Sequence, residues 1–193
     1  MKIRLGKRIS LPKILTLIFS VLLLGWGIGY STPMQKLFYP YPHRAVVEKY
    51  AGLYQVDPLL VMAVMREESK YLPQSESRKG AKGLMQLMPE TARWIAGSMG
   101  DATFQVDDLL KPDKNIQYGT WYLADLQKEF SGNMVLVIAA YNGGRGHVKE
   151  WIKTDQIDPK NMQESDIPFP ETKQYVERVL KSYRKYSMLY HST

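Results

Sequence analysis

Apolar residues recur at helical spacing along much of this chain and predict a series of α-helices. In residues 44–54 they recur three and four positions apart, which is typical of an amphipathic helix. Asp57 followed by Pro58 indicates a helix start, because aspartate caps free backbone N–H groups and proline suits the first helical position. The helix that follows is apolar on all sides over residues 59–65, so we expect it at the centre of the core.

The same pattern predicts further helices downstream, and they are bounded by capping residues, prolines and glycines. We expect them to span Pro89 to Gly97 or Gly100, Asp113 to Phe130, Asn133 to Tyr141, and Pro170 to Tyr186. The sequence contains no alternating apolar–polar run long enough for a strand and no internal repeat. It therefore predicts an all-α fold with one compact multi-helix domain over residues 43–193.

The N-terminal segment differs from the rest of the chain in charge and hydropathy. Residues 1–13 carry five cations, and residues 14–30 form a charge-free run of 17 residues. As a helix this run spans about 25 Å, close to the hydrocarbon core of a bilayer. Because positive flanks stay cytoplasmic, we predict a single-pass membrane anchor with the downstream domain on the extracytoplasmic side. A cleaved signal peptide is the alternative, and Gly27-Ile28-Gly29 offers small residues at the spacing of its cleavage site.

Between the anchor and the domain, residues 31–42 predict a linker. Pro33, Pro40 and Pro42 occur among polar and aromatic residues there. Prolines at that density favour extended backbone, so we expect a short, semi-rigid spacer.

Composition excludes several classes of function. Five of the 26 basic residues precede residue 14, which leaves 21 basic against 19 acidic residues in the remainder. A domain so close to neutral lacks a phosphate-binding surface, so we expect no nucleic-acid partner. The chain has no cysteine, which excludes a disulfide framework and a thiolate metal site. The histidines are too scattered for a metal site, and we expect neither a metal nor a cofactor: His43, His147 and His191.

Two carboxylates that end the central helix suggest acid–base chemistry. Glu67 and Glu68 follow its apolar run, near the negative end of the helix dipole. Both burial and that dipole raise the pKa of a carboxyl group, which then keeps its proton near neutral pH. A glycosidic oxygen needs such a proton as its bond breaks. Adjacent helix positions point in different directions, and periodicity alone does not choose between Glu67 and Glu68.

Four motifs follow one another in a fixed order along the chain. They are Glu68-Ser69, Ser77 with Gly80-Ala81 and Gly83-Leu84-Met85-Gln86-Leu87-Met88-Pro89, Ala140-Tyr141-Asn142-Gly143-Gly144, and Glu171-Thr172 with Tyr175-Val176. Together they resemble the catalytic domain of the soluble lytic transglycosylases (SLT domain), lytic murein transglycosylases related to goose-type lysozyme. The resemblance extends over most of the chain beyond the N-terminal segment and implies a lysozyme-like fold.

This resemblance also implies a reaction. Such enzymes cleave the β-1,4 bond between N-acetylmuramic acid and N-acetylglucosamine in peptidoglycan with one glutamate. It acts first as an acid and then as a base on the muramoyl 6-hydroxyl, which gives 1,6-anhydromuramoyl products. The family's acid directly precedes a serine, which selects Glu68. By motif position, the resemblance assigns substrate contacts to Ser77, Gln86, Met88, Tyr141, Asn142 and Tyr175.

For the two tyrosines and Asn142 we predict specific contacts or positions. The hydroxyl of Tyr141 is expected to point at Glu68 or at substrate. Asn142 can also cap the helix ahead of Gly143-Gly144. Tyr175 is expected to close the site from the last helix.

Several alternatives stay open at this point. A conventional glycosidase needs a second carboxylate about 5–9.5 Å from the acid, and no spacing singles one out. Two alternatives to a lytic transglycosylase are a muramidase that delivers water to the same bond and a non-catalytic peptidoglycan-binding anchor. The same chemistry can also serve a secretion or division machine through a protein partner. The candidate second carboxylates are Glu76, Glu90, Asp107 and Asp108.

Overall fold

The fold is helical throughout the part of the chain that the structure describes. The computed structural model describes residues 11, 12, 15, 16, 18–20, 23, 27 and 31–190, and these residues contain no β-strand beyond isolated bridges, which confirms the all-α prediction. Two 3-10 helices cover Val106–Leu110 and Glu164–Asp166. The α-helices span Thr32–Phe38 (α1), Arg44–Tyr54 (α2), Pro58–Ser69 (α3), Pro89–Met99 (α4), Pro112–Glu129 (α5), Met134–Gly143 (α6), Arg145–Lys153 (α7) and Pro170–Tyr190 (α8).

The chain divides into two compact units, residues 1–40 and residues 41–193. Most of the predicted anchor, 14–30, lies outside the described residues. Among those described, no helix is both long and apolar enough to cross a membrane. The predicted extended linker is wrong over α1, because Pro33 lies in the first turn of that helix, where its missing N–H costs no hydrogen bond.

In the second unit, α3 forms the centre of the core, as predicted. Its residues 59–65 are at most 5% exposed. Asp57 caps the helix by accepting a hydrogen bond from the Leu59 N–H at 2.8 Å. α8 packs along α3, and its Tyr183 donates a hydrogen bond to Oδ2 of Asp57 at 2.6 Å. The start of α3 is therefore fixed both locally and by α8.

Asn115 of α5 holds the loop between α3 and α4. Its side chain is fully buried, and its Oδ1 accepts a hydrogen bond from the Met85 N–H at 2.7 Å. Its Nδ2 donates to the carbonyls of Lys82 and Leu109, at 2.9 and 2.8 Å. One amide group thus satisfies three backbone groups that would otherwise be buried without partners.

Two glycines allow this loop to lie directly against its neighbours. Gly83 has φ of 79°, and a Cβ there would lie 2.1 Å from the carbonyl oxygen of Leu109. A Cβ at Gly119 of α5 would lie 2.3 Å from the sulfur of Met85. The loop position therefore depends on the absence of a side chain at both residues.

Some helix limits differ from those predicted. α6 continues through Gly143, and Gly144 (φ 92°) is its C-cap, so the capping role expected for Asn142 is wrong. The helix α7 was not predicted, because a Gly-Gly-Arg-Gly stretch around its start is typical of a turn. The last helix extends beyond Tyr186 to Tyr190.

Candidate active site

A cleft of about 530 Å³ opens beside Glu68, at the end of α3. It brings together Glu68 and five of the residues that the sequence assigned to substrate contacts. Tyr175 does not line the cleft but lies buried behind Glu68. The lining residues are Glu68, Ser77, Lys79, Ala81, Gln86, Met88, Tyr141, Asn142, Gly143, His147, Phe169, Glu171 and Thr172.

Glu68 has the environment of a carboxylic acid that keeps its proton near neutrality. Burial raises the pKa of Glu68 to about 7. The hydrogen bond from the Tyr175 hydroxyl to Oε1, at 2.6 Å, and the charge of Arg178 oppose this rise, while the charge of Glu67 adds to it. At neutral pH a substantial fraction of Glu68 therefore carries a proton.

The neighbouring Glu67 has a different environment and stays paired. Its side chain is 7% exposed and accepts a hydrogen bond from Oγ of Ser182 at 2.7 Å. Lys70 and Arg178 place their nitrogens 3.0 and 3.6 Å from its carboxylate. Glu67 thus contributes to the contact between α3 and α8, whereas Glu68 faces the cleft.

The two tyrosines of the site hold different partners. The hydroxyl of Tyr141 donates to the carbonyl of Met85 at 2.8 Å, so its partner is the loop and not Glu68. Tyr175 makes the direct contact with the acid. Burial, followed by the charge of Glu68, raises the pKa of both phenols well above the usual value. Both hydroxyls therefore act as neutral hydrogen-bond donors.

The loop residues of the cleft are braced by their own hydrogen bonds. Oγ of Ser77 accepts a hydrogen bond from the Ala81 N–H at 3.0 Å. Gln86 adopts a φ of 48°, and its side-chain nitrogen donates to the carbonyl of Gly83 at 2.8 Å. Met88 precedes α4 and is 39% exposed. These contacts fix one wall of the cleft before any ligand binds.

The structure adds cleft residues to which the sequence analysis assigned no role at this site. His147, from α7, and Phe169, just before α8, have ring centroids 5.1 Å apart. Lys79 lines the cleft from the loop and Glu171 from the first turn of α8. Glu171 belongs to a motif that the sequence analysis quoted, yet it was not considered as a second carboxylate.

None of the four carboxylates proposed from the sequence lines the cleft; these are Glu76, Glu90, Asp107 and Asp108. Glu76 forms an ion pair with Lys82 at 2.9 Å instead. Within the described part of the chain, no cluster of three or more His, Cys, Asp or Glu side chains could hold a metal ion.

Comparisons with known proteins give a consistent picture. The family model of the transglycosylase SLT domain matches residues 45–163. A soluble lytic murein transglycosylase of Escherichia coli K12 is 35% identical over 155 residues, which cover 78% of this chain and 24% of the relative. A membrane-bound lytic murein transglycosylase C of Edwardsiella ictaluri is 33% identical over 162 residues, covering 73% of this chain and 45% of the relative.

A solved structure shows the same fold. It is the X-ray structure of an inactive Glu-to-Gln mutant of the lytic transglycosylase Slt from Pseudomonas aeruginosa, with 30% sequence identity and a TM-score of 0.70. The match covers 86% of this chain and 29% of that one. The chain thus spans about a quarter of the length of the E. coli relative and of the P. aeruginosa protein.

Proposed function

The chain belongs to the transglycosylase SLT domain family, and from this membership we propose that it is a lytic transglycosylase. Its substrate is the glycan strand of peptidoglycan, and its target is the β-1,4 bond between N-acetylmuramic acid and N-acetylglucosamine. The products end in 1,6-anhydromuramic acid. The observation that carries the proposal is the buried Glu68, whose pKa is raised to about 7 in a cleft large enough for sugar rings.

Glu68 performs both proton transfers in this proposal. It first donates its proton to the glycosidic oxygen, and the bond from that oxygen to C1 of the muramoyl residue breaks. The 6-hydroxyl of the same sugar then bonds to C1, and the carboxylate of Glu68 accepts its proton. Because the nucleophile belongs to the substrate, its effective concentration is high and no second carboxylate is needed to activate water. Glu68 ends the cycle protonated, as it began.

The other cleft residues position the strand. Ser77, Gln86 and Asn142 offer polar groups to the sugars, and Met88 offers an apolar surface. Tyr141 keeps the loop in place through the Met85 carbonyl. Tyr175 orients the carboxyl group of Glu68 from behind.

Glu171 favours one alternative, a muramidase acting on the same bond. It places a second carboxylate in the cleft, where it can act as a base on water. The hydrolytic product then carries one water more than the anhydro product, so the masses of the products distinguish the two reactions.

The test is digestion of purified peptidoglycan sacculi by the full chain in a mild detergent, followed by mass spectrometry of the released muropeptides. We expect products lighter by one water than the hydrolytic ones, and a loss of at least about a thousandfold in Glu68→Gln. Glu177→Gln is the matched control, since Glu177 is exposed on α8 and does not line the cleft.

Three other outcomes of this digestion would lead to different conclusions. Hydrolytic products that disappear in Glu171→Gln would establish the muramidase. Activity that persists in Glu68→Gln would overturn the assignment of the acid. A wild-type protein that binds sacculi without digesting them would be a peptidoglycan-binding anchor.

We further propose that residues 14–30 anchor the protein in the cell membrane, with the helical domain on the wall side. The charge-free run and its five preceding cations support this orientation. Carbonate extraction of membranes from cells that express the full chain should leave it in the pellet. Added protease should digest the domain in spheroplasts. Release of the protein by carbonate, or full protection of the domain from protease, would overturn the proposal.

A pull-down with the same full chain would reveal a protein partner from a secretion or division machine.

A further inference from the structure

A second groove lies next to the catalytic cleft and has no role in the reaction described above. Its volume is about 490 Å³. The two sites share the junction of α6 and α7, because Gly143 and His147 line the cleft while Gly144 and Gly146 line the groove. The groove therefore adjoins the cleft at this junction. The groove residues are Thr91, Trp94, Tyr122, Gly144, Arg145 and Gly146.

Trp94 gives this groove an exposed aromatic surface on a fixed support. This residue is 43% exposed, although it belongs to the middle of α4. Trp121 meets it edge-on, with ring centroids 5.4 Å apart and planes at 64°. Tyr122 does the same at 6.1 Å and 78°. The indole is thus held in one orientation by two rings of α5 while much of it remains in contact with solvent.

Arg145 completes the groove without giving it a free charge. Its guanidinium lies 4.9 Å from the ring centroid of Trp94, within cation–π range. The same guanidinium forms ion pairs with Asp125, at 2.9 Å, and with Glu129. Both acids belong to α5. Because they pair with the guanidinium, the positive charge of Arg145 is balanced within the protein. The groove is therefore suited to a neutral ligand with an apolar face.

From these observations we propose that the groove is a second glycan subsite, which stacks an N-acetylglucosamine ring, the uncharged sugar of the same strand, on Trp94. This inference rests on the proposed function, since it assumes that the cleft binds a glycan. The C–H face of a pyranose packs against an aromatic ring, and its hydroxyls reach polar groups at the rim such as Thr91. A stem peptide, which carries carboxylates, fits less well because Arg145 is already paired.

The glycines at the α6–α7 junction provide a way to block the groove without removing an aromatic ring. A Cβ at Gly146 meets no atom within 4 Å, so a larger side chain there would enter the open space of the groove. Gly146 lies in the first turn of α7, where a leucine is compatible with the backbone. Gly52, exposed on α2, also has no atom within 4 Å of a Cβ and provides the matched control.

The experiment measures glycan binding by calorimetry, with Glu68→Gln in the full chain as the parent so that the probe is not consumed. The probe is a peptide-free octasaccharide of alternating N-acetylglucosamine and N-acetylmuramic acid. We expect Trp94→Ala and Gly146→Leu, each in this parent, to raise its Kd about tenfold, because the sugar loses its contact with the indole face. Gly52→Leu should bind as the parent does. Thermal melting identifies any variant that fails to fold, and Gly146→Leu keeps every aromatic side chain.

Two results would overturn the subsite. One is an octasaccharide Kd within twofold of the parent in the folded Gly146→Leu and Trp94→Ala proteins. The other is a weakening that is found with free stem peptide and not with the glycan. Neither result affects the release of anhydro products by the wild type, so failure of the subsite is distinguishable from failure of the proposed function. A parent that binds no glycan at all would overturn the subsite, whereas the proposed function is decided by the products that the wild type releases.

Discussion

The hydroxyl of Tyr175 donates a hydrogen bond to Oε1 of Glu68 over 2.6 Å, although the two residues are 107 positions apart in the chain. The contact joins the first half of α8 to the last turn of α3. It stabilises the ionised form of Glu68 and so opposes burial, which raises the pKa to about 7. The packing of α8 on α3 therefore lowers a pKa that burial raises.

Tyr175→Phe should raise the pKa of Glu68, because it removes a hydrogen bond that favours the charged form. We expect the basic limb of the profile of kcat/KM against pH to move upward by about one unit. Tyr183→Phe is the matched control: Tyr183 belongs to the same helix and donates to Asp57 over 2.6 Å, outside the cleft. A basic limb at the same pH in Tyr175→Phe and wild type would contradict the assignment of that limb to Glu68.

Glu68→Gln should make the protein more stable at neutral pH. Since the pKa of Glu68 rises on folding from about 4.5 to about 7, the folded state binds more protons than the unfolded state between these values. Wild-type stability therefore falls as the pH rises through this window. Above pH 7 we expect Glu68→Gln to gain about 1–3 kcal/mol in the free energy of unfolding, and near pH 4 the difference should vanish.

Urea denaturation at pH 4, 6 and 8 measures this effect, with Glu177→Gln as an exposed control that should show little change at any pH. A gain of the same size at pH 4 and pH 8 would mean that it does not arise from the ionisation of Glu68.

Asn115→Ala should destabilise the domain by about 3–5 kcal/mol. The change leaves the Met85 N–H and the carbonyls of Lys82 and Leu109 buried without their partner. Chemical denaturation measures the loss, and Asn161→Ala is the control. Asn161 also donates from its side chain, to Asp158, but in an exposed loop, so its loss should cost less than about 0.5 kcal/mol. Equal effects of the two changes would disprove the role of Asn115 in holding the loop.

Gly119→Ala and Gly97→Ala should have opposite effects, although both place a methyl group on a helix. At Gly119 the methyl group would lie 2.3 Å from the sulfur of Met85, and we expect a loss of about 1–3 kcal/mol and lower activity, because Met85 anchors Tyr141. At Gly97 nothing lies within 4 Å, and alanine should stabilise α4 by about 0.5–1 kcal/mol. Thermal melting of both variants, with digestion of sacculi, tests the pair.

Helix positions were predictable where apolar spacing and end signals agree. Asp57-Pro58 fixed the start of α3, and the all-round apolar run correctly placed that helix in the core. The prediction was wrong at Pro33, because a proline that appears to interrupt a helix is also suited to its first turn. The prediction omitted α7, because glycines on both sides of Arg145 are typical of a turn. In the structure, Gly144 is the N-cap of α7 and Gly146 lies in its first turn.

Many of the residues that line the cleft were predictable from the sequence, but the hydrogen-bond partners of its tyrosines were not. The serine that follows Glu68 selected it as the candidate acid, and the structure places Ser77, Gln86, Met88, Tyr141 and Asn142 with it in one cleft. The partners of the two tyrosines could not be derived, since one is a backbone carbonyl and the other contact joins two distant helices. Phe169 and His147 were missed because neither belongs to a periodic pattern.

The two hydrogen bonds from α8 to α3 limit how far this domain can be truncated for recombinant expression. The matched family region ends at residue 163, before α8 begins at Pro170. A protein trimmed to that boundary would keep Glu68 and the residues around it through Asn142, yet it would lose Tyr175 and Tyr183, which hold the two ends of α3. We therefore expect such a fragment to expose its most apolar helix and to aggregate, whereas a fragment that keeps α8 through Tyr190 should retain both contacts.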